Sequence, residues 1–196
     1  MSDYYDYFPQ AALRPKPKAG KERKKFGLTW WGEKWIDIVE GIGSNERMSR
    51  GRAYARAERA YNIDIKSGRL TANVEGSSGE EYDITITFNN FRSSDKERIL
   101  KTIRGDNEIL GKILNNQLPE NFEKKAKTNI IPNNFEALCS CPDYENPCKH
   151  IATIFYVLSE EIDNAPQILF KLQGLDNIEI LNFLNNNIKR PKKKNG

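Results

Sequence analysis

The sequence predicts an α+β fold: an N-terminal helix and antiparallel β-meander, a helical middle, a short β-hairpin joined to a helix, and C-terminal helices. Three observations carry this reading. Apolar residues recur at helical spacing before Gly43 and again after Ser94. Between Arg52 and Phe88 they alternate with polar residues, the period of a half-buried strand. All three cysteines and the single histidine fall between Cys139 and His150. A chain of 196 residues, 38% hydrophobic and 30% charged, can close a core of one domain with polar extremities.

Residues 1–25 read as a basic flexible tail. Pro9, Pro15 and Pro17 break any helix, and Arg14, Lys16, Lys18, Lys21, Arg23, Lys24 and Lys25 crowd together with few apolar residues to pack. A nucleic-acid arm and a solvated leader both fit. Asp3 and Asp6 among tyrosines give no signal region, and no run of eighteen apolar residues occurs, so neither secretion nor a membrane span is expected. Reduced thiols in the cytoplasm follow from that expectation.

A lobe over 26–92 comes next. Thr29 caps a helix whose stripe is Trp31, Trp35, Ile38, Val39 and Ile42, with Gly41 and Gly43 ending it. Trp30 lies about 100° round from Trp31 and reads as an exposed aromatic. Ile63 and Ile65, then Leu70, Ala72 and Val74, then Tyr82, Ile84, Ile86 and Phe88 alternate with polar residues around turns at Ser67-Gly68 and Gly76 to Gly79, an antiparallel meander with one dry face. Arg52 to Tyr61 is taken as a further strand, although Ala53, Ala57 and Ala60 also suit a helix. Arg47, Arg50, Arg52, Arg56 and Arg59 cluster at its start, with Lys66 and Arg69 nearby. On a strand, Arg52, Tyr54 and Arg56 share a face suited to phosphate contact and base stacking. A solvated face diluted by Glu46, Glu58 and Asp64 is the alternative.

A helical segment follows over 93–127. Ser94 with Glu97 reads as a capping box before Ile99, Leu100 and Ile103. Ile109, Leu110, Ile113 and Leu114 form a second stripe, and Pro119 opens a short third helix. Brief strands over 128–131 and 135–140 then make a hairpin around Pro132-Asn133-Asn134. After a unit over 128–163, helices over 164–188 start at Pro166 and Asp176. A basic tail, Lys189, Arg190, Lys192, Lys193 and Lys194, fills 189–196.

The 128–163 unit holds the chemistry. Cys139-Ser-Cys-Pro-Asp-Tyr-Glu-Asn-Pro-Cys-Lys-His150 spells C-x-C, six residues, C-x-H. Four donors with no position left open are the ligand set of a structural, tetrahedral Zn²⁺, and thiolate with imidazole disfavours magnesium or calcium. Residues i and i+2 of a strand point Cys139 and Cys141 to one side. Pro142 and Pro147 bracket a polar loop, Cys148 closes it, and His150 joins from the first turn of a helix striped by Ile151, Ile154, Phe155, Leu158 and Ile162. An iron–sulfur cluster is the chemical rival. A disulfide would leave one cysteine over, and a Cys/His nucleophile pair needs one thiol rather than three.

This motif resembles the SWIM zinc finger, whose pattern is C-x-C, a variable gap and C-x-H. Phe26-Gly-Leu-Thr-Trp-Trp-Gly-Glu-Lys-Trp35, Gly51-Arg-Ala-Tyr-Ala-Arg56 and Gln167-Ile-Leu-Phe-Lys-Leu-Gln-Gly174 are similar to stand-alone prokaryotic SWIM proteins, so the resemblance covers about 26–175. It implies binding of DNA or of proteins, and association with Swi/Snf-type helicase-like ATPases. The leading expectation is therefore a zinc-dependent module that binds nucleic acid, DNA or RNA, through Lys149 and the Arg47 to Arg59 cluster. A protein-interaction adaptor is the alternative. An enzyme is not expected: the four donors fill the metal, the one histidine is among them, and no G-x-x-x-x-G-K-[ST] loop occurs.

Overall fold

The computed structural model describes residues 24–186. The tail expected over 1–25 lies outside the described residues except for Lys24 and Lys25, and the 189–196 tail lies wholly outside them. Helices α1 (Trp30–Glu40) and α2 (Asn45–Arg56) precede strands β1 (Ala60–Lys66), β2 (Arg69–Glu75) and β3 (Glu81–Phe88). Helices α3 (Ser93–Gly105), α4 (Asn107–Leu114) and α5 (Phe122–Ala126) lead to β4 (Phe135–Cys139), and α6 (Lys149–Asn164), α7 (Gln167–Leu172) and α8 (Asn177–Asn186) complete the α+β fold. One antiparallel sheet runs β1-β2-β3-β4.

The meander forms where the period-two pattern lies. Leu70, Ala72 and Val74 of β2 and Ile84, Ile86 and Phe88 of β3 are buried on one face. The opposite face is polar. Asn62 Nδ2 donates to Asn73 Oδ1 at 3.1 Å, and Asn73 Nδ2 to Asp83 Oδ1 at 2.7 Å, a ladder across three strands. β4 joins this sheet by pairing with β3, Phe135 against Phe88 and Cys139 against Ile84.

Helix α6 is the hub. Ile151, Ala152, Ile154, Phe155, Tyr156, Leu158 and Ile162 are buried, nearly all round the helix, as its place between the sheet and α1–α2 requires. Trp31 and Trp35 of α1 donate their indole N–H groups to the carbonyls of Ile162 (2.6 Å) and Phe155 (2.9 Å) on α6. Thr29 caps α1 by accepting from Gly32 N at 3.1 Å. Asp163 of α6 accepts from Leu28 N at 2.8 Å and Thr29 N at 3.0 Å, so one carboxylate ties the two helix ends. Helices α1 and α6 are thereby joined at both stripe and terminus.

Several expectations are corrected. Residues 45–56 form α2 rather than a strand from Arg52, and only Ala60 and Tyr61 of that segment enter β1. Gly51 sits where α2 crosses α6, and a Cβ there would lie 2.4 Å from Ala152 Cβ, so the helix was selected by close packing rather than by its weak apolar stripe. Residues 128–131 form no strand, and β4 takes β3 as its partner in place of a local hairpin. α3 begins at Ser93 with no side-chain cap, so Ser94 makes no capping box. α5 begins at Phe122, three residues beyond Pro119. Trp30 is half-buried; its indole N–H donates to Leu118 O at 2.9 Å. Ile42 and Leu114 face solvent. Pro166 and Asp176 do start α7 and α8, Asp176 accepting from Glu179 N at 2.8 Å.

Candidate metal centre

Cys139 is the last residue of β4, and Cys141 lies two residues past the strand end. Ser140, between them, fastens the strand end to β3: its N–H donates to Asp83 O at 3.0 Å and its hydroxyl accepts from Asp83 N at 2.9 Å. The chain then turns through Pro142 to Pro147. Asn146 Nδ2 reaches back to Ala137 O at 2.7 Å, and Asp143 accepts from Glu145 N at 3.3 Å. Cys148 is the N-cap of α6, its sulfur accepting from Ile151 N at 3.5 Å, and His150 is the second residue of that helix. A strand end and a helix start thus deliver two ligands each.

The four ligand atoms lie within 4.8 Å of one another. His150 Nδ1 stands 3.8 Å from Cys139 Sγ and 4.0 Å from Cys148 Sγ. In a tetrahedron with Zn–S about 2.3 Å and Zn–N about 2.0–2.1 Å, such an edge is about 3.6 Å. The spacing fits one ion. The imidazole is held by Tyr82, stacked at 4.4 Å between centroids, and by Tyr54, edge-on at 5.9 Å. Its Nε2 is buried without a hydrogen-bond partner among the described residues.

The protonation of the cluster also fits a cation. Hydrogen bonding from Cys139, with help from His150 and the Ile151 amide, overcomes burial and pulls the Cys148 thiol below its ordinary value. Cys139 is pushed up by its hydrogen bond with Cys148 and by burial, and Cys141 is pushed up chiefly by burial. The positive end of α6 favours the Cys148 thiolate. A divalent ion supplies the charge that lets the other two ionise. The chain therefore carries one structural zinc site made of Cys139, Cys141, Cys148 and His150, with no fifth donor among the described residues.

The predicted arginines part company. Arg47 pairs with Asp143 and, at 2.8 Å, with Glu145, so it clamps the loop between the ligand pairs. Arg52 pairs with Glu40 and donates to Tyr156 Oη at 3.1 Å. Arg50 lies 3.7 Å from Glu46 on its own helix, both well exposed. Arg56 donates to Lys24 O at 3.0 Å and covers Phe26. Arg59 and Lys149 converge instead: each lies over the Tyr54 ring, at 4.7 and 4.9 Å, and neither has a carboxylate partner among the described residues. Burial pushes the Tyr54 hydroxyl up, but hydrogen bonds with Lys149 and Ser77 and the two positive charges bring it below its ordinary value. The helical α2 places Arg52 and Arg56 one turn apart, so the alternating Arg52-Tyr54-Arg56 face does not exist.

Sequence reasoning missed the supporting shell. Tyr82 was visible as a member of the dry strand face, and Asn146 as a loop residue. Tyr54 and Arg47 carried no signal for their roles, since both act on partners far along the chain.

The family model of the SWIM zinc finger matches residues 120–159, a span containing all four ligands. An uncharacterized protein of Mycobacterium tuberculosis, Rv2102, is 33% identical over 179 residues, 86% of this chain. The chain spans 65% of that relative's length. No solved structure matches. The ligand spacing, the strand-to-helix frame and the matched span agree, so residues 120–159 are similar to the SWIM zinc finger in both sequence and donor set.

Proposed function

We propose that the protein is a non-catalytic, zinc-stabilised module that binds nucleic acid, DNA foremost, through the surface where α2 meets the start of α6. One observation carries the reading: Arg59 and Lys149, two cations without carboxylate partners among the described residues, flank the Tyr54 ring beside the metal-binding His150. Phosphate oxygens suit the cations and an unpaired base suits the ring. Arg56 and Arg50 extend the surface along α2. The solvent face of the sheet is a poor rival, because Asp64, Glu75, Glu81, Asp83 and Glu136 outnumber Lys66 and Arg69 there. The zinc, with all four positions filled by the chain, shapes this surface rather than activating water. No helix among the described residues is long and apolar enough to cross a membrane. Free thiols suit the cytoplasm.

The test is fluorescence anisotropy of single- and double-stranded DNA with the zinc-loaded chain across a salt series. Binding should fall steeply with salt. Arg59→Ala/Lys149→Ala should weaken it at least tenfold and flatten the log–log slope by about 1.4 to 1.8, the share of two phosphates. Absence of binding at low salt would sink the reading.

One observation favours a second reading, a protein adaptor serving a helicase-like ATPase of the Swi/Snf type. A cleft of about 410 Å³ beside the finger is lined by Ile42, Phe135, Ala137, Leu138 and Pro147, and Leu138 is 69% exposed. Leu138→Glu should then abolish co-purification of such a partner while leaving DNA binding intact.

A further inference from the structure

A second cleft lies at the far end of β4 from the metal, about 13 Å along the strand from Cys139. Its volume is about 720 Å³, within the range of ligand sites. Its walls come from the β3–α3 junction, from α5 and its C-terminal turn, and from the segment before β4. Amides dominate them: Asn89, Asn90, Asn129, Asn133 and Asn134 all face solvent. None of these side chains hydrogen-bonds another described residue. Phe91, half-buried, supplies an aromatic wall.

The charges are arranged by sign. The two carboxylates of the cleft are already engaged. Asp95 pairs with Arg98, and Glu123 pairs with Lys34 at 2.8 Å and accepts from Ile130 N at 2.9 Å. Lys124 and Lys127 stand exposed with no ion pair among the described residues. Arg92, 90% exposed, reaches Asp95 only at 4.0 Å. What remains is a set of groups that donate and accept alike, one aromatic face, two cations without an ion pair and the loosely paired Arg92.

We infer that this cleft binds a nucleoside phosphate unit, with the asparagine amides against the base edge and Lys124, Lys127 and Arg92 toward the phosphate. Asparagine matches base edges because its amide presents a donor and an acceptor side by side, as a base does. Cations alone would suit any anion, and amides with an aromatic would suit a sugar; only a nucleotide uses all three. The unit comes either from an unpaired nucleic-acid strand or from a free nucleotide. The strand source rests on the nucleic-acid reading above; the free-nucleotide source does not.

The experiment uses the full zinc-loaded chain and two probes: a labelled twelve-nucleotide single-stranded DNA by anisotropy, and adenosine 5′-monophosphate by isothermal titration calorimetry. Two exposed double variants, Lys124→Glu/Lys127→Glu and Asn129→Leu/Asn133→Leu, run beside Arg59→Ala/Lys149→Ala, with circular dichroism melts to confirm folding. For a strand ligand, the lysine pair should weaken DNA binding at least tenfold and lower the salt slope by about 1.4. The asparagine pair should weaken it several-fold with the slope unchanged. For a free nucleotide, calorimetric binding of the monophosphate should be lost in both cleft variants and kept in Arg59→Ala/Lys149→Ala. DNA binding lost in the Arg59/Lys149 variant but untouched in both cleft variants, with no monophosphate binding, overturns the cleft and spares the nucleic-acid reading. No binding of either probe overturns both.

Discussion

Tyr156 shows how much one buried phenol settles. It lies in the core of α6, donates its hydroxyl to Glu40 at 2.8 Å and accepts from Arg52 at 3.1 Å. Burial, joined by the hydrogen bond to Glu40 and its charge and opposed by Arg52, pushes the group up to about 12. In the unfolded chain it titrates near 10. The raised folded value means that the protonated phenol is favoured by the fold: that contribution is whole below pH 10 and is lost as pH rises from 10 through 12. Stability should therefore fall by up to about 1.4 kcal/mol per pH unit in that window from this group alone. Denaturant melts between pH 9 and 12 should show a shallower decline in Tyr156→Phe than in the wild type; parallel curves would refute the assignment. At this scale the sequence was legible for the metal and mute about the arginines. The spacing of Cys139, Cys141, Cys148 and His150 is local and named its own chemistry. The partners of Arg47 are 96 and 98 residues away, and nothing near Arg47 marks it as a clamp rather than a phosphate contact.

Among the elements, α2 is the one whose period misled. Its face carries Met48, Gly51 and Ala55 against α6, a stripe too small to register as apolar, while its arginines alternate with short residues as a strand would. Helix–helix contact selected small residues, and small residues weaken the periodic signal. This gives a test with an unusual sign. Alanine in place of glycine inside a helix ordinarily gains about 0.5–1 kcal/mol. At Gly51 the added carbon would sit 2.4 Å from Ala152 Cβ and 2.8 Å from the Ala152 backbone. Gly51→Ala should therefore destabilise the protein by about 1–3 kcal/mol in urea melts. A stabilised variant would show that α2 and α6 are not packed as described. The three strands of the meander were legible because each repeats its pattern beside a turn. The pairing of β4 was not, because its partner β3 lies across three helices, and a five-residue strand cannot name a distant neighbour.

For the whole molecule, the metal is not confined to a lobe. The sheet, α1, α2 and α6 share one continuous core, and the ligands join a sheet strand to the hub helix. Structural zinc contributes about 10–16 kcal/mol in small finger peptides, a sum comparable to the full stability of a domain. Even a third of it, at about 2–4 °C per kcal/mol for a chain of this size, shifts melting by about 7–21 °C. Chelation should thus move a single calorimetric transition down by at least about 7 °C. A separate low-temperature peak, with the main transition unmoved, would mean that the finger melts alone.

The pairing of β4 with β3 also bears on portability. A fragment cut at residues 120–159 keeps all four ligands and most of α6 but leaves β3, at Glu81–Phe88, behind. Its strand would have a bare edge on both sides, and the apolar faces of α6 would lose α1 and α2. Zinc fingers that fold from their own residues can be strung together or transplanted like beads. This one cannot be lifted from its host, so any binding it confers has to evolve, or be engineered, in the setting of the entire domain.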